Sequence, residues 1–228
     1  MNLGPAQQRT RRIFDWRVLS GLRSPHLGGI RAFASEAARR RGREATPAEA
    51  ERGDATIFTV LYQFDVLTGP GPTTPGATVA FDLDAGGNYP FAPPTVQVVS
   101  VPRAWGPHIH ESTGSVCIGG GWAAAQGQML LAQLAVHVMR LLNLDEPTPR
   151  DGFNSAAFAY WGGVLGWRPL HADFEYPLVS TELTHETETG VSAAEGVNTN
   201  GFRPLASSAT GHVTGPVVTA FRPVGVGR

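Results

Sequence analysis

The sequence predicts an α+β fold in which an antiparallel meander of strands packs against helices. Three segments alternate apolar and polar residues with the period of two that is typical of strands, and short connections join them. One strongly apolar segment of helical length follows the strands. Glycine and proline make up about a fifth of the 228 residues, which argues against a helical bundle and for many turns.

The three predicted strands lie in the first half of the chain. Residues 56–67 place apolar side chains on one face at every second position, and residues 77–84 repeat this pattern. The Gly-Pro-Gly-Pro sequence at 69–72 separates these two strands, and residues 95–101 form the third. Because strands with short connections pair side by side, an antiparallel meander is the simplest topology.

Helices are predicted on both sides of the strands. Residues 126–144 are strongly apolar and long enough for a helix that packs on the sheet, and residues 153–161 suggest a further short helix. Apolar residues recur at near-helical spacing at 13–19. Residues 30–43 are a second N-terminal candidate, because alanine and arginine favour helices.

Charge and composition divide the chain into three parts. Residues 1–54 carry eleven arginines against six acidic residues, which predicts a basic helical segment. Residues 55–167 contain the predicted strands and the long helix and are expected to form the core domain. Residues 168–228 are rich in threonine, serine and glycine and are expected to be an extended or partly disordered C-terminal extension.

Composition also excludes several classes of protein. No apolar run approaches the roughly 20 residues that span a bilayer, and the N-terminus lacks the apolar stretch of a secretory signal. We therefore expect a cytoplasmic protein with no membrane partner. The single cysteine, Cys117, excludes an internal disulfide framework and fits a reducing compartment. The arginine run at 39–43 is short and lacks interleaved aromatic residues, so no nucleic-acid partner is expected.

The segment 105–122 is the densest in potentially reactive groups. Cys117 follows two imidazoles, those of His108 and His110, and glycines lie on both sides of it. Glycine lets backbone N–H groups approach a ligand closely, and the thiolate is the reactive form of cysteine. Taken alone, this pattern fits a buried structural cysteine equally well.

A wider order of motifs resembles the ubiquitin-conjugating enzyme family. The chain has Tyr-Pro-Phe-Ala-Pro-Pro-Thr-Val at 89–96, then the histidine-rich loop, Gly-Ser-Val-Cys at 114–117, Trp122, the long helix and an acidic, proline-containing turn at 143–149. That family has a Y-P-F-x-P-P-x-V segment, H-P-N, a G-S-[IV]-C active-site segment, a Trp, a helix and a proline-rich acidic turn in the same order. The resemblance runs from about residue 56 to residue 161.

The resemblance implies a four-stranded antiparallel meander backed by helices. It implies that Cys117 receives a ubiquitin-like protein as a thioester from an activating enzyme and passes it to an amine on a target protein. Such a site has to stabilise an oxyanion and desolvate the amine, and it needs no cofactor and no metal. The family uses its first helix to contact the activating enzyme, and here that helix carries Arg11, Arg12 and Arg17.

One departure from the family's pattern affects the oxyanion. Where the family has H-P-N, this chain has Pro107-His108-Ile109, or His108-Ile109-His110 with one residue displaced. The family's Asn therefore has no clear counterpart. An imidazole N–H can donate to an oxyanion, so His110 or His108 is expected to replace it, and Asn154 is another candidate amide.

A second departure concerns the loop after the cysteine. The stretch from Cys117 to Trp122 is shorter than usual and consists largely of glycine. Such divergence is similar to that of the bacterial relatives of these enzymes. Those relatives are found beside genes for an activating enzyme, a ubiquitin-like protein and a deconjugating peptidase, often in anti-phage operons.

An acidic turn follows the long helix. Asp145 and Glu146 lie where the family places an acidic gate, and a carboxylate there could orient the incoming amine or help to remove its proton. A solvated turn, in which the prolines stop the helix, is the alternative interpretation.

Lysine is absent, and all 18 basic residues are arginine. A genomic bias toward arginine would leave several lysines in a chain of this length. A carrier of a reactive thioester is exposed to its own surface amines at very high effective concentration. We therefore interpret the absence of lysine as protection against self-conjugation.

Three other functions fit parts of the pattern. One is a non-catalytic module of the same fold that binds a ubiquitin-like protein or an activating enzyme, although such modules usually lack the cysteine. Another is a zinc site, because His108, His110 and Cys117 are plausible ligands. The third is a Cys–His hydrolase with Cys117 as its nucleophile, which the Tyr-Pro-Phe context fits poorly.

Overall fold

The computed structural model describes residues 3–125, 127–145 and 152–179. Its helices are α1 (Pro5–Ser20), α2 (Glu36–Arg40), α3 (Pro47–Glu51), α4 (Gly121–Ala124), α5 (Leu131–Leu142) and α6 (Ser155–Gly163). Its strands are β1 (Leu27–Phe33), β2 (Ile57–Tyr62), β3 (Val66–Leu67), β4 (Thr73–Thr74), β5 (Ala77–Asp82) and β6 (Thr95–Val98). Within these ranges, no helix is both long and apolar enough to cross a membrane.

Four strands form one antiparallel sheet in the order β1-β2-β5-β6. The short strands β3 and β4 pair separately, between β2 and β5 in the chain. This is a meander accompanied by helices, so the predicted α+β class is confirmed. The strands predicted at 77–84 and 95–101 are present but shorter than their apolar patterns. The strand predicted at 56–67 divides into β2 and β3, which lie in different sheets.

The prediction of a helix at residues 30–43 is wrong for the first part of this range. Residues 27–33 form β1, which pairs with β2 at the edge of the sheet, and the helix α2 begins only after the N-cap Ser35. Pairing with β2 buries Ala32 and Phe33, and this tertiary gain outweighs the helix propensity of alanine and arginine. The fourth strand of the meander therefore comes from the N-terminal basic segment.

The core lies between the sheet and α5. Tyr62 on β2 is fully buried, and its hydroxyl donates to the carbonyl of Ala135 on α5 at 2.8 Å. Burial raises the pKa of Tyr62 well above its ordinary value, so the phenol remains a donor. The helix is shorter than the predicted 126–144, because Gly127 adopts a φ of 80° and keeps the chain out of a helix before Leu131.

Helix α3 and the turn after it lie against α1. The Arg17 Nε donates to the Glu51 carboxylate at 2.7 Å, and the Arg12 Nε donates to the Gly53 carbonyl at 3.1 Å. Gly53 has a φ of 72°, and a Cβ at this position would lie 2.9 Å from the Arg9 carbonyl oxygen. This close approach of the two backbones therefore requires glycine.

Replacing Gly53 with alanine is expected to lower the free energy of unfolding by about 2–4 kcal/mol, because left-handed strain adds to overpacking. Gly42→Ala is the matched control, since Gly42 has a φ of 67° but a Cβ there would meet no atom within 4 Å. The control should lose only the left-handed strain, about 1–2 kcal/mol. Urea denaturation compares the two, and equal losses would contradict the tight packing of α3 on α1.

Candidate active site

Cys117 lies at the end of a short hairpin, residues 108–117, which we call the site hairpin. Within it Ile109 bridges to Val116, and the Cys117 N–H donates to the His108 carbonyl at 2.8 Å. The Val116 N–H donates to a carbonyl of β6 at 2.9 Å. Backbone hydrogen bonds therefore hold Cys117 in register with His108 and attach the hairpin to the edge of the sheet.

The turn of the site hairpin depends on Gly114, which belongs to the Gly-Ser-Val-Cys motif, and on Arg103, which sequence reasoning missed. Gly114 has a φ of 74°, and a Cβ there would lie 2.6 Å from the Val98 carbonyl oxygen. The Arg103 guanidinium donates to the carbonyls of Glu111 at 2.9 Å and Ser112 at 2.7 Å. The sequence did single out Arg103, because it is the only arginine between residues 53 and 139 and the chain has no lysine.

The backbone after the cysteine borders open space. The Cys117 thiol is free and half-buried, and a Cβ added at Gly119 or Gly120 would meet no atom within 4 Å. Trp122 on α4 is buried, and its indole N–H donates to the Pro90 carbonyl at 2.8 Å. Two motifs of the resemblance, the Tyr-Pro-Phe segment and the tryptophan, are thus in direct contact.

The two candidate imidazoles occupy different positions. His108 is 7% exposed, and its carbonyl faces the Cys117 amide. His110 is exposed, its Nδ1 lies 3.4 Å from the Thr113 N–H that it accepts, and its ring centroid is 6.0 Å from that of Phe153. The register therefore places His108 opposite Cys117, whereas the ring of His110 contacts the turn of its own hairpin.

Asp145 lies at the end of α5. Its N–H donates to the Arg140 carbonyl at 2.9 Å, and its carboxylate is beside the Tyr176 hydroxyl. Burial, with a contribution from Asp145, raises the pKa of Tyr176. Among the described residues, these contacts place Asp145 where the end of α5 meets the first part of the C-terminal extension. Glu146 lies outside the described residues.

The first part of the C-terminal extension, residues 168–179, contains neither helix nor strand but packs on the core. The Asn143 Oδ1 accepts the His171 N–H at 2.9 Å, and its Nδ2 donates to the Tyr176 hydroxyl at 2.9 Å. The Phe174 ring packs against the main core cluster. Beyond residue 179 the expected extension lies outside the described residues.

The arginines of α1 that were expected to meet an activating enzyme bond within the chain. The Arg11 Nε donates to the buried Asp15 carboxylate at 2.6 Å, and the Tyr89 hydroxyl donates to the same carboxylate. Arg12 and Arg17 bond to the end of α3 and the turn after it, as described above. Each of these three guanidinium groups therefore already has a partner inside the chain.

The zinc alternative does not fit the side chains. Within residues 3–125, 127–145 and 152–179, no three histidine, cysteine or acidic side chains come together as metal ligands. His108, His110 and Cys117 therefore do not form a ligand set.

Comparison with known proteins adds one similarity, although no family model matches the chain. Over 99 residues the chain is 30% identical to "Ubiquitin-conjugating enzyme E2 pex4" of Dictyostelium discoideum. The match covers 41% of this chain and 65% of the relative, a little less than two thirds of its length. The chain is therefore similar in part to a ubiquitin-conjugating enzyme, and its α+β fold with a four-stranded antiparallel sheet is compatible with that family.

Proposed function

We propose that this chain is a ubiquitin-conjugating-type acyl carrier. Cys117 accepts a ubiquitin-like protein as a thioester from an activating enzyme and passes it to an amine on a target protein. The observation that carries the proposal is the position of the chain's single thiol at the end of the site hairpin, just before the helix α4 that contains the buried Trp122. The similarity to a ubiquitin-conjugating enzyme supports the same class of reaction.

The first step exchanges one thioester for another. The Cys117 thiolate attacks the carbonyl carbon of the ubiquitin-like protein's C-terminal thioester on the activating enzyme. A C–S bond to Cys117 forms, the C–S bond to the activating enzyme's cysteine breaks, and the departing thiolate takes up a proton. The open space after Cys117 leaves this side of the site uncovered by the described residues.

The second step forms the amide. The target's amine attacks the thioester carbonyl, the oxyanion collapses, the C–S bond to Cys117 breaks, and the nitrogen loses a proton. In this proposal His108 and His110 are the candidate oxyanion donors, with His108 favoured by its register opposite Cys117. Asp145 is the candidate carboxylate that orients the amine or accepts its proton.

We also propose a cytoplasmic, bacterial enzyme of the anti-phage operon type, encoded near its activating enzyme, its ubiquitin-like protein and a deconjugating peptidase. The support for this proposal is that the residues around Cys117 differ from the pattern of the ubiquitin-conjugating enzyme family. The family's Asn position falls on Ile109 or His110, and a glycine stretch follows Cys117.

Reconstitution tests the proposal. The chain is mixed with the activating enzyme and the ubiquitin-like protein encoded beside it and with ATP, and the products are run on a non-reducing gel. We expect an adduct that requires ATP and disappears with a thiol reagent. If the activating enzyme is charged but this chain forms no adduct, the non-catalytic binding module becomes the better interpretation.

The lysine-free surface leads to a separate prediction. Ala123→Lys places an amine on α4, six residues after Cys117, and should increase ATP-dependent, thiol-resistant self-conjugation several-fold. Arg31→Lys is the matched control, because β1 lies three strands from β6, about 14 Å across the sheet. Equal self-conjugation of both variants and the parent, measured on reducing gels, would refute the protective role.

A further inference from the structure

The three residues before α6, Gly152 to Asn154, contact Pro107 and the site hairpin that follows it. A Cβ at Gly152 would lie 2.7 Å from the Pro107 carbonyl oxygen, so the chain passes this point at a distance that only glycine allows. The Phe153 ring meets the ring of His110 edge-on. The Asn154 N–H donates to the Pro107 carbonyl at 3.0 Å.

These contacts connect Asn154 to the cysteine through the backbone. Pro107, which accepts the Asn154 N–H, is followed directly by His108, which accepts the Cys117 N–H at 2.8 Å. Two hydrogen bonds on adjacent residues therefore link the start of α6 to the thiol-bearing residue. A shift of Asn154 would shift the backbone that holds Cys117.

The Asn154 side chain does more than cap the helix. Its Oδ1 accepts the Ala157 N–H at 3.0 Å and so provides an acceptor for one of the N–H groups in the first turn of α6. The residue is only 5% exposed, and its Nδ2 is buried without a hydrogen-bond partner among the described residues. An unsatisfied buried donor costs roughly 1–3 kcal/mol. Serine or aspartate would cap the helix without this cost, so capping alone does not explain the asparagine.

We propose that Asn154 is a positioning residue of the thioester site, whose side-chain amide donates to the Pro107–His108 segment during acyl transfer. The inference rests on the proposed function of Cys117. Because Nδ2 is buried, it acts through this segment rather than on the incoming target. Among the described residues the Asn154 Nδ2 has no acceptor before the thioester forms, and it gains an acceptor on this segment as negative charge develops beside Cys117.

Two variants that keep the cap isolate the side-chain amide. Asn154→Asp and Asn154→Ser retain an oxygen for the Ala157 N–H and leave the backbone bond to Pro107 intact, but both remove the donor. Three quantities are measured: the melting temperature, the rate at which Cys117 is charged, and the rate at which the charged chain discharges to free lysine. Asn154→Ala loses the cap and the donor together, so its difference from Asn154→Ser gives the cost of the cap.

We expect Asn154→Ser to melt at or above the temperature of the parent, because it removes a buried donor without a partner. Both cap-retaining variants should acquire the thioester on Cys117 at the parent's rate. Their discharge should slow by about tenfold, the effect of one hydrogen bond. Discharge at the parent rate in both variants would overturn the inference and leave Asn154 as a helix cap only. If the parent forms no thioester at all, the proposed function is overturned as well. This outcome is seen in the parent alone, before any variant is compared.

Discussion

Replacing Asp15 with alanine is expected to lower the free energy of unfolding by about 3–5 kcal/mol. Asp15 is fully buried and accepts the Arg11 Nε at 2.6 Å, the Leu131 N–H at 2.9 Å and the Tyr89 hydroxyl. Burial, together with the charge of Asp15, raises the pKa of Tyr89, so the phenol stays protonated and donates. Alanine would leave the Arg11 charge without its buried partner and the first N–H of α5 without its acceptor.

Urea denaturation followed by tryptophan fluorescence measures this loss. Asp15→Asn should fall between the parent and the alanine variant, because it keeps an oxygen for the Leu131 N–H but removes the charge. Arg31→Ala is the surface control, since the Arg31–Glu44 pair is exposed and worth at most about 1 kcal/mol. An Asp15→Ala loss as small as that of the control would show that the buried network contributes little.

Replacing Cys117 should have the largest effect on activity. Cys117→Ala is expected to abolish the adduct with the ubiquitin-like protein, because no other thiol is present in the chain. Cys117→Ser should form a slower adduct that resists thiol reagents but is cleaved by alkali, because an oxygen ester replaces the thioester. Both variants should fold like the parent, since the changed side chain is small and half-buried.

Gels with and without thiol reagent distinguish these outcomes, and thermal denaturation checks the folding of each variant. A thiol-labile adduct that persists in Cys117→Ala would place the acyl group on the activating enzyme rather than on this chain. An adduct that is thiol-resistant in the parent as well would indicate modification of the N-terminal amine instead.

The strands and the long helix were predictable because their apolar periodicity is local. β2, β5 and β6 each carry their own alternating pattern, and α5 is apolar along nearly all its length. β1 was missed because Gly28, Gly29 and Arg31 interrupt any such pattern. Its conformation is set by the ladder with β2, which only the folded chain contains.

The candidate site was predictable in composition but not in geometry. The order of motifs around Cys117 is visible in the sequence. The pairing of Cys117 with His108 is not, because a shift of the hairpin register by one residue would pair Cys117 with a different residue. The contact between Asn154 and Pro107 joins residues far apart in the sequence. Asp15 was likewise invisible as a buried acceptor, because its partners Tyr89 and Leu131 lie 74 and 116 residues away.

Intact-mass spectrometry of the chain after incubation with its activating enzyme, its ubiquitin-like protein and ATP tests the central claim most directly. The proposed chemistry predicts a mass increase equal to the ubiquitin-like protein less one water, located on the peptide that contains Cys117 and lost on adding a thiol reagent. An unchanged mass in the presence of a charged activating enzyme, or an adduct on a peptide without Cys117, would contradict it.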